Sequence, residues 1–362
     1  SWIGLPSLTR GASGWALRLG MGWLLSVLKA LTQNPHRILP SGCAALRAGL
    51  QGRLVTLLVA LLAGLLVGCR QPSLPRVSPL ANPSDARPLV LTTFTVLADM
   101  ARNVAGERLQ VRSITRLGAE IHGYEPSPSD LEGAQGADLI VRNGLGLERW
   151  ADRFIQSAGN RAEVTLSEGM RPLLIEGDAY AGKPNPHAWM SPQRAQLYVN
   201  RLVQAFSAID PAGAATFRAN GEAYKRQLGQ LDADLRAALA GVPPAQRILV
   251  SCEGAFSYLA HDYGLEEAYL WPVNAESQVT PRRMARLIET VRRRRVPAVF
   301  CESTVNANAQ REVARAAGAR FGGTFYVDSL SDASGPAPTL LKLQRHNVDL
   351  IVKGLGPGAA GR

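Results

Sequence analysis

Residues 248–264 read ILVSCEGAFSYLAHDYG, and residues 296–318 read VPAVFCESTVNANAQREVARAAG. In each, a short apolar strand (Ile248–Ser251, Val296–Phe300) runs into a Cys-Glu pair and then into a segment with helical spacing (Ala255–Tyr263, Ala307–Ala317). Outward from these units the plan repeats. Strand Ala268–Trp271 and helix Pro281–Arg293 lie between them, and strand Phe321–Val327 and helix Pro338–Leu355 follow. Upstream, the runs Leu89–Phe94, Leu109–Ile114 and Asp138–Arg142 read as strands, with helices at Val96–Val104 and at about Leu147–Gln156. Strands alternating with helices imply parallel sheets covered on both faces. The stretch Pro211–Leu239 has no strand-like run, and Phe217, Tyr224, Leu228, Leu231 and Leu235 recur there at helical spacing. The expected fold is therefore α/β: two lobes, each a parallel sheet flanked by helices, joined by one long helix.

The chain has 362 residues, 46% hydrophobic and 19% charged, which suits a globular protein with an apolar leader. Its net charge of +11 invites a nucleic-acid reading, but the distribution argues against one. Six basic residues and no acidic ones lie in residues 1–69, leaving 34 basic against 29 acidic over the rest. The densest later run, Arg292 to Arg295, closes a helix, where cations favour the negative end of the macrodipole. A solvated helix end is expected there rather than a phosphate-binding patch, and nucleic acid is not expected as a partner.

Residues 54–68, LVTLLVALLAGLLVG, form an apolar run after Arg47 and Arg53 and before Cys69. Such a run is short for a membrane span and suits the apolar region of a secretory signal. With Cys69 directly after it, the run looks like a bacterial lipoprotein signal in which that cysteine is lipidated; the alternative is a plain signal or single-span anchor. Residues 1–69 are read as leader, of which 1–50 are either an over-extended reading frame or a long leader. Residues 70–87, with Pro72, Pro75, Pro79 and Pro83, read as an extended tether. The first lobe is expected over 88–208, the linking helix over 209–241, the second lobe over 242–356 and a tail over 357–362.

Several residues could carry chemistry. His122 lies in IHGYEPSPSD, between a strand and a sharply marked helix start: Ser127 suits the N-cap, Pro128 the first turn and Asp130 a capping box. Loops at the carboxyl ends of strands line the ligand crevice of open α/β folds. In PNPHAWMSP, Pro186 and Pro192 pin the backbone around His187. Cys252-Glu253 and Cys301-Glu302 each end a strand. If those strands are neighbours in register, the cysteines lie within disulfide reach, the alternative being two buried free thiols. Asp328, in FYVDS, is placed at the end of the last strand. Either Glu253 or Glu302 could reach a crevice, and position alone does not separate them.

The four motifs, HGYEPSPSD, PNPHAWMSP, SCEGAFSYLAHDYG and FYVDSL, occur in order. Between about Leu89 and Leu355 the chain resembles the ABC-transporter solute-binding proteins that bind manganese or zinc. The paired cysteines and YLWPVNAESQVTP look most like the manganese-binding lipoproteins of the cyanobacterial type. The resemblance implies metal ligation by His122, His187, Glu253 and Asp328 in a crevice between the lobes. It leaves Glu302 behind the site, as a supporting or helix-capping residue. It further implies a monomer that delivers Mn2+, or alternatively Zn2+, to a membrane permease with its cytoplasmic ATPase, lipid being held through Cys69. Two imidazoles and two carboxylates cancel a divalent charge, and bidentate carboxylates allow the higher coordination manganese prefers. No histidine lies between His122 and His187, where zinc importers carry a His-rich loop. A metallohydrolase is the competing class. It would keep three protein ligands and an open position, and the chain carries no HExxH motif, nucleophile elbow or phosphate-binding loop.

Overall fold

The computed structural model describes residues 87–159, 161–176, 180–273 and 279–357, which fall within one compact unit, Pro83–Arg362. Cys69, the apolar run before it and the tether up to residue 86 lie outside the described residues, as do residues 274–278.

The first lobe is built on four parallel strands in the order β2-β1-β3-β4: β1 (Leu89–Thr92), β2 (Gln110–Ser113), β3 (Leu139–Arg142) and β4 (Glu163–Thr165). Val90 and Ile140 point to opposite faces and both are fully buried, so the central strands read as unbroken apolar runs. One face lies under α1 (Thr95–Ala105); the other meets α2 (Pro128–Gln135) and α3 (Arg149–Ser157) through Ala134, Ala151 and Phe154. The edge strand β4 has one apolar residue, Val164, too weak a pattern to be read from sequence.

Helix α4 (Pro192–Ile209) starts on Ser191, whose hydroxyl accepts the Arg194 N–H. The linking helix, α5, spans Ala214–Ala240, starting later than the expected Pro211. Asp210 accepts the Gly213 N–H and holds Pro211–Gly213 as a separate 3-10 turn. At 27 residues, α5 is about 40 Å long. It buries Phe217, Tyr224, Leu228, Leu231, Leu235 and Leu239 along one stripe. Gly221 is required there, because a Cβ would lie 2.5 Å from Val203 on α4.

The second lobe contains two parallel pairs, β5 (Ile248–Glu253) with β6 (Glu266–Trp271), and β7 (Ala298–Glu302) with β8 (Arg320–Phe325). Helices α6 (Ser257–Tyr263), α7 (Pro281–Arg294), α8 (Asn308–Ala317) and α9 (Leu340–Leu355) complete it. Among the described residues, the ladders run within each pair. β5 and β7 are joined by the Cys252–Cys301 disulfide, with Cα atoms 4.8 Å apart, and the Gln310 amide donates to the Val250 carbonyl. Closing a loop across 49 positions contributes on the order of 4 kcal/mol in the chain-entropy picture. At the end of α7, Arg294 forms a two-pronged pair with Glu266 and Arg292 reaches the Ala316 carbonyl. One apolar core runs from α1 through α5 into both strand pairs. No helix among the described residues is long and apolar enough to cross a membrane.

Candidate metal centre

Four chain segments converge at the carboxyl ends of the strands. His122 sits on the loop between β2 and α2. Its turn is closed by Glu120, whose carboxylate accepts the His122 and Gly123 N–H groups at 2.7 and 2.8 Å. Trp150 donates its indole N–H to the Ile121 carbonyl at 2.8 Å, fixing the loop to α3. The capping box forms: Ser127 takes the Asp130 N–H and Asp130 takes the Ser127 N–H.

His187 precedes a short 3-10 turn, Ala188–Met190, and is fully buried. Its ring Nδ1 and its backbone N–H both lie 3.0 Å from Asn185 Oδ1. The Asn185 amide nitrogen donates to the Gly254 carbonyl at 2.7 Å, so the amide oxygen must be the atom facing the histidine. The Nδ1 is therefore the protonated nitrogen, and Nε2 presents a lone pair to the crevice. Asn143 supports the same loop, donating to the Pro186 carbonyl at 3.0 Å. Trp189 packs 5.2 Å from the imidazole and donates to the Val327 carbonyl, linking this loop to the segment bearing the aspartate.

Glu253 ends β5, as expected. Asp328 lies beyond β8 rather than at its end, because Asn347 on α9 pairs with both backbone groups of Tyr326 and stops the strand at Phe325. The aspartate loop is then tied to the first lobe. Ser329 accepts the Gly118 N–H at 2.7 Å, and Leu330 donates to Thr95 at 3.0 Å.

These placements bring all four sequence-selected residues together. His122 Nε2 lies 3.2 Å from Glu253 Oε1 and 3.8 Å from Asp328 Oδ2. His187 Nε2 lies 3.7 Å from the same Glu253 oxygen and 3.9 Å from Asp328 Oδ1. Both Nε2 atoms and Asp328 Oδ1 are buried without a hydrogen-bond partner, the 3.2 Å approach included, which falls outside hydrogen-bond geometry. Orphaned polar atoms gathered this closely are what a bound cation would satisfy. Two neutral imidazoles and two carboxylates there offer a charge-balanced donor set for a divalent ion.

The electrostatics are uneven. Burial acts to lower both histidines. At His122 the charges of Glu253 and Asp328 outweigh it and raise the pKa to about 9. At His187 burial prevails, Glu253 restores only part, and the pKa falls to about 3. Burial holds Asp328 well above the usual carboxylate range, against the opposing pull of His122. Glu302 does not face the imidazoles: it accepts the Glu253 N–H at 3.2 Å, and burial with the Glu253 charge keeps its carboxyl well above the usual range. Cys252, Cys301 and Glu302 also cluster, but the sulfurs are bonded to each other and are not thiolate ligands. Asn185 and Trp189 stood inside the quoted motifs without a role; no sequence signal separates them from structural residues.

The family model for the periplasmic component A of zinc-uptake complexes matches residues 90–354. The iron-binding protein YfeA of Yersinia pestis is 46% identical over 277 residues, 76% of this chain and 89% of that protein. The manganese ABC transporter substrate-binding lipoprotein PsaA of Streptococcus pneumoniae is 30% identical over 308 residues, 83% and 97% of the two chains. Among solved structures, the periplasmic zinc-binding protein TroA of Treponema pallidum superposes with a TM-score of 0.70 at 28% identity, covering 75% of this chain and 99% of its own. With this fold and this converging donor set, the chain belongs to the zinc-uptake component A family, the substrate-binding proteins of metal ABC transporters.

Proposed function

We propose that this chain captures a divalent transition metal, Mn2+ in the first instance, between His122, His187, Glu253 and Asp328, and passes it to an ABC importer's permease and ATPase. The observation that carries the reading is the convergence of two orphaned Nε2 atoms on two buried carboxylates, drawn from both lobes. Carboxylates that can close in bidentate fashion favour manganese over tetrahedral zinc, although the Irving–Williams order gives zinc the higher intrinsic affinity at such a site. Relatives are named for manganese, zinc and iron, so all three ions belong in the test. Transport rather than catalysis is supported by four protein donors, which leave little room for a reactive water. The chain is an exported protein. We assign its anchor to Cys69 and the lobes to residues 88–208 and 242–356, with 209–241 between them.

The test is metal analysis of protein isolated from its native compartment. Manganese near one equivalent is expected; zinc or iron in its place would overturn the choice of ion, and absence of any metal would overturn the site. The same preparation from a Cys69→Ala chain should lose lipid labelling and membrane retention, and unchanged labelling would remove that cysteine as the anchor.

A further inference from the structure

We infer that the end of the second lobe opposite the metal centre is a seat for an anionic lipid surface. Residues 282–320 hold ten arginines against three acidic residues, while the rest of 70–362 holds 24 basic and 26 acidic. The positive excess beyond the leader therefore lies in one stretch, from α7 to the start of β8. Read alone, Arg292–Arg295 is a helix end; folding builds it into a face. In parallel α/β units each helix returns the chain to the amino ends of the strands, away from the ligand crevice. Arg320 opens β8 and donates to the Lys353 carbonyl near the end of α9 at 2.7 Å. Arg292 reaches the Ala316 carbonyl near the end of α8 at 3.1 Å. Arg292, Arg293, Arg295, Arg315, Arg320 and Lys353 thus share the strand-start end. The five residues of β7 put about 13 Å between that end and Glu302.

Of the six, Arg315 alone pairs with a carboxylate among the described residues, that of Glu312. Bonds to carbonyls leave Arg292 and Arg320 fully cationic. Arg293 and Arg295 are exposed, and among the described residues their side chains make no hydrogen bond or ion pair. Arg295 also closes α7 at φ 51°, the left-handed position that glycine normally fills, so helix stability does not account for an arginine there. The same end of the first lobe is balanced: Arg87 pairs with Glu107 and Arg108 with Asp210. There Leu89 opens β1, twenty positions after Cys69, a length that reaches at most about 70 Å. With the anchor assigned above, the arginine face stays within reach of lipid phosphates, whereas an exported chain has no standing contact with nucleic acid. Clustered basic residues are drawn to the negative potential of such a surface within a Debye length. Seated in this way, the molecule turns its crevice away from the bilayer, toward the medium that supplies the metal.

Protein purified with its anchor is placed in vesicles of phosphatidylcholine, alone or with about one third phosphatidylglycerol. Its arginines are modified with phenylglyoxal and read residue by residue by tandem mass spectrometry. In the anionic vesicles, labelling of Arg293, Arg295 and Arg315 should slow roughly fivefold or more. Arg116 and Arg149, exposed at the crevice end, should keep their rates. Salt at about 1 M, where the Debye length is ~3 Å, should remove the protection. Arg293→Gln combined with Arg295→Gln should free Arg315 in anionic vesicles while Mn2+ binding stays as in the parent. Arg116→Gln combined with Arg149→Gln, an equal change of charge, should leave Arg315 protected. Labelling rates indifferent to phosphatidylglycerol would overturn the inference. Equal slowing at Arg116 and Arg149 would overturn it too, as would protection by inorganic phosphate without anionic lipid. The phosphatidylcholine vesicles report the anchor separately: a chain that leaves them refutes the anchor, and labelling with phosphatidylglycerol present still decides the seat.

Discussion

The first lobe joins all four of its strands by backbone ladders and delivers its ligands on loops, whereas the second joins its inner strands through side chains and delivers Glu253 at a strand end. His122 and His187 are aimed by local devices: a glutamate-closed turn, an asparagine amide and an indole N–H. Glu253 inherits its position from β5, which is stapled to β7 by a disulfide one residue away and by the Glu302 carboxyl. The difference teaches that the His187 imidazole has its tautomer and ring plane fixed by a hydrogen bond at Nδ1, whereas Glu253 needs only its backbone held.

The largest effect should come from the ligands themselves. Manganese at a thousandfold excess over Kd should stabilise the fold by roughly 4 kcal/mol, and Ala at His122, His187, Glu253 or Asp328 should remove most of it in thermal melts. Glu302→Ala should remove less, because its carboxyl supports the Glu253 backbone instead of facing the imidazoles. A melt in which Glu302→Ala abolishes the shift while Glu253→Ala retains it would reverse the assignment of the two glutamates.

Next in size is the staple. Replacing both Cys252 and Cys301 with Ala should cost about 2–4 kcal/mol in denaturant unfolding of the metal-free chain. If the comparison of the lobes holds, amide exchange in the metal-free variant should rise around Glu253 and Glu302, with the His122 and His187 loops unchanged. Uniform loosening of all four loops would show that the staple supports the whole crevice and not one lobe's contribution.

The smallest effect is the proton. His122, raised to about 9, carries a proton in the metal-free protein at pH 7, whereas His187, lowered to about 3, does not. A proton that must leave before metal enters makes affinity rise with pH below the raised value. The rise is up to about tenfold per unit, or about 1.4 kcal/mol, per proton displaced. Calorimetry at pH 7 in buffers of different ionisation enthalpy should count at least one proton released on manganese binding, and affinity should climb between pH 6 and 8. Binding with no proton released would mean that the two histidines do not differ as their surroundings require.

Much of this was legible in the chain. The alternation of strands and helices, the cap at Ser127–Asp130 and the stripe of Phe217 to Leu235 are local patterns, and each formed within a few residues of where it was expected. The misses were positions where a distant group acts on the backbone: Asn347 stopping β8 before Asp328, and Asp210 delaying α5. β4 was missed because a three-residue edge strand with one buried side chain has almost no period to read.

The division at the site follows the same physics. Periodicity, capping chemistry and the strand-end Cys-Glu pairs depend on neighbours in sequence, so the sequence by itself determined the α/β class, the loops bearing both histidines and the strand ends bearing both glutamates. The resemblance already pointed to Glu253 over Glu302, but which histidine keeps a proton and what holds the His187 ring were decided only in the tertiary structure. Those properties depend on burial and on charges several ångströms away, and both arise from chain segments brought together by folding: His122 lies 131 positions from Glu253 yet 3.2 Å from its carboxylate.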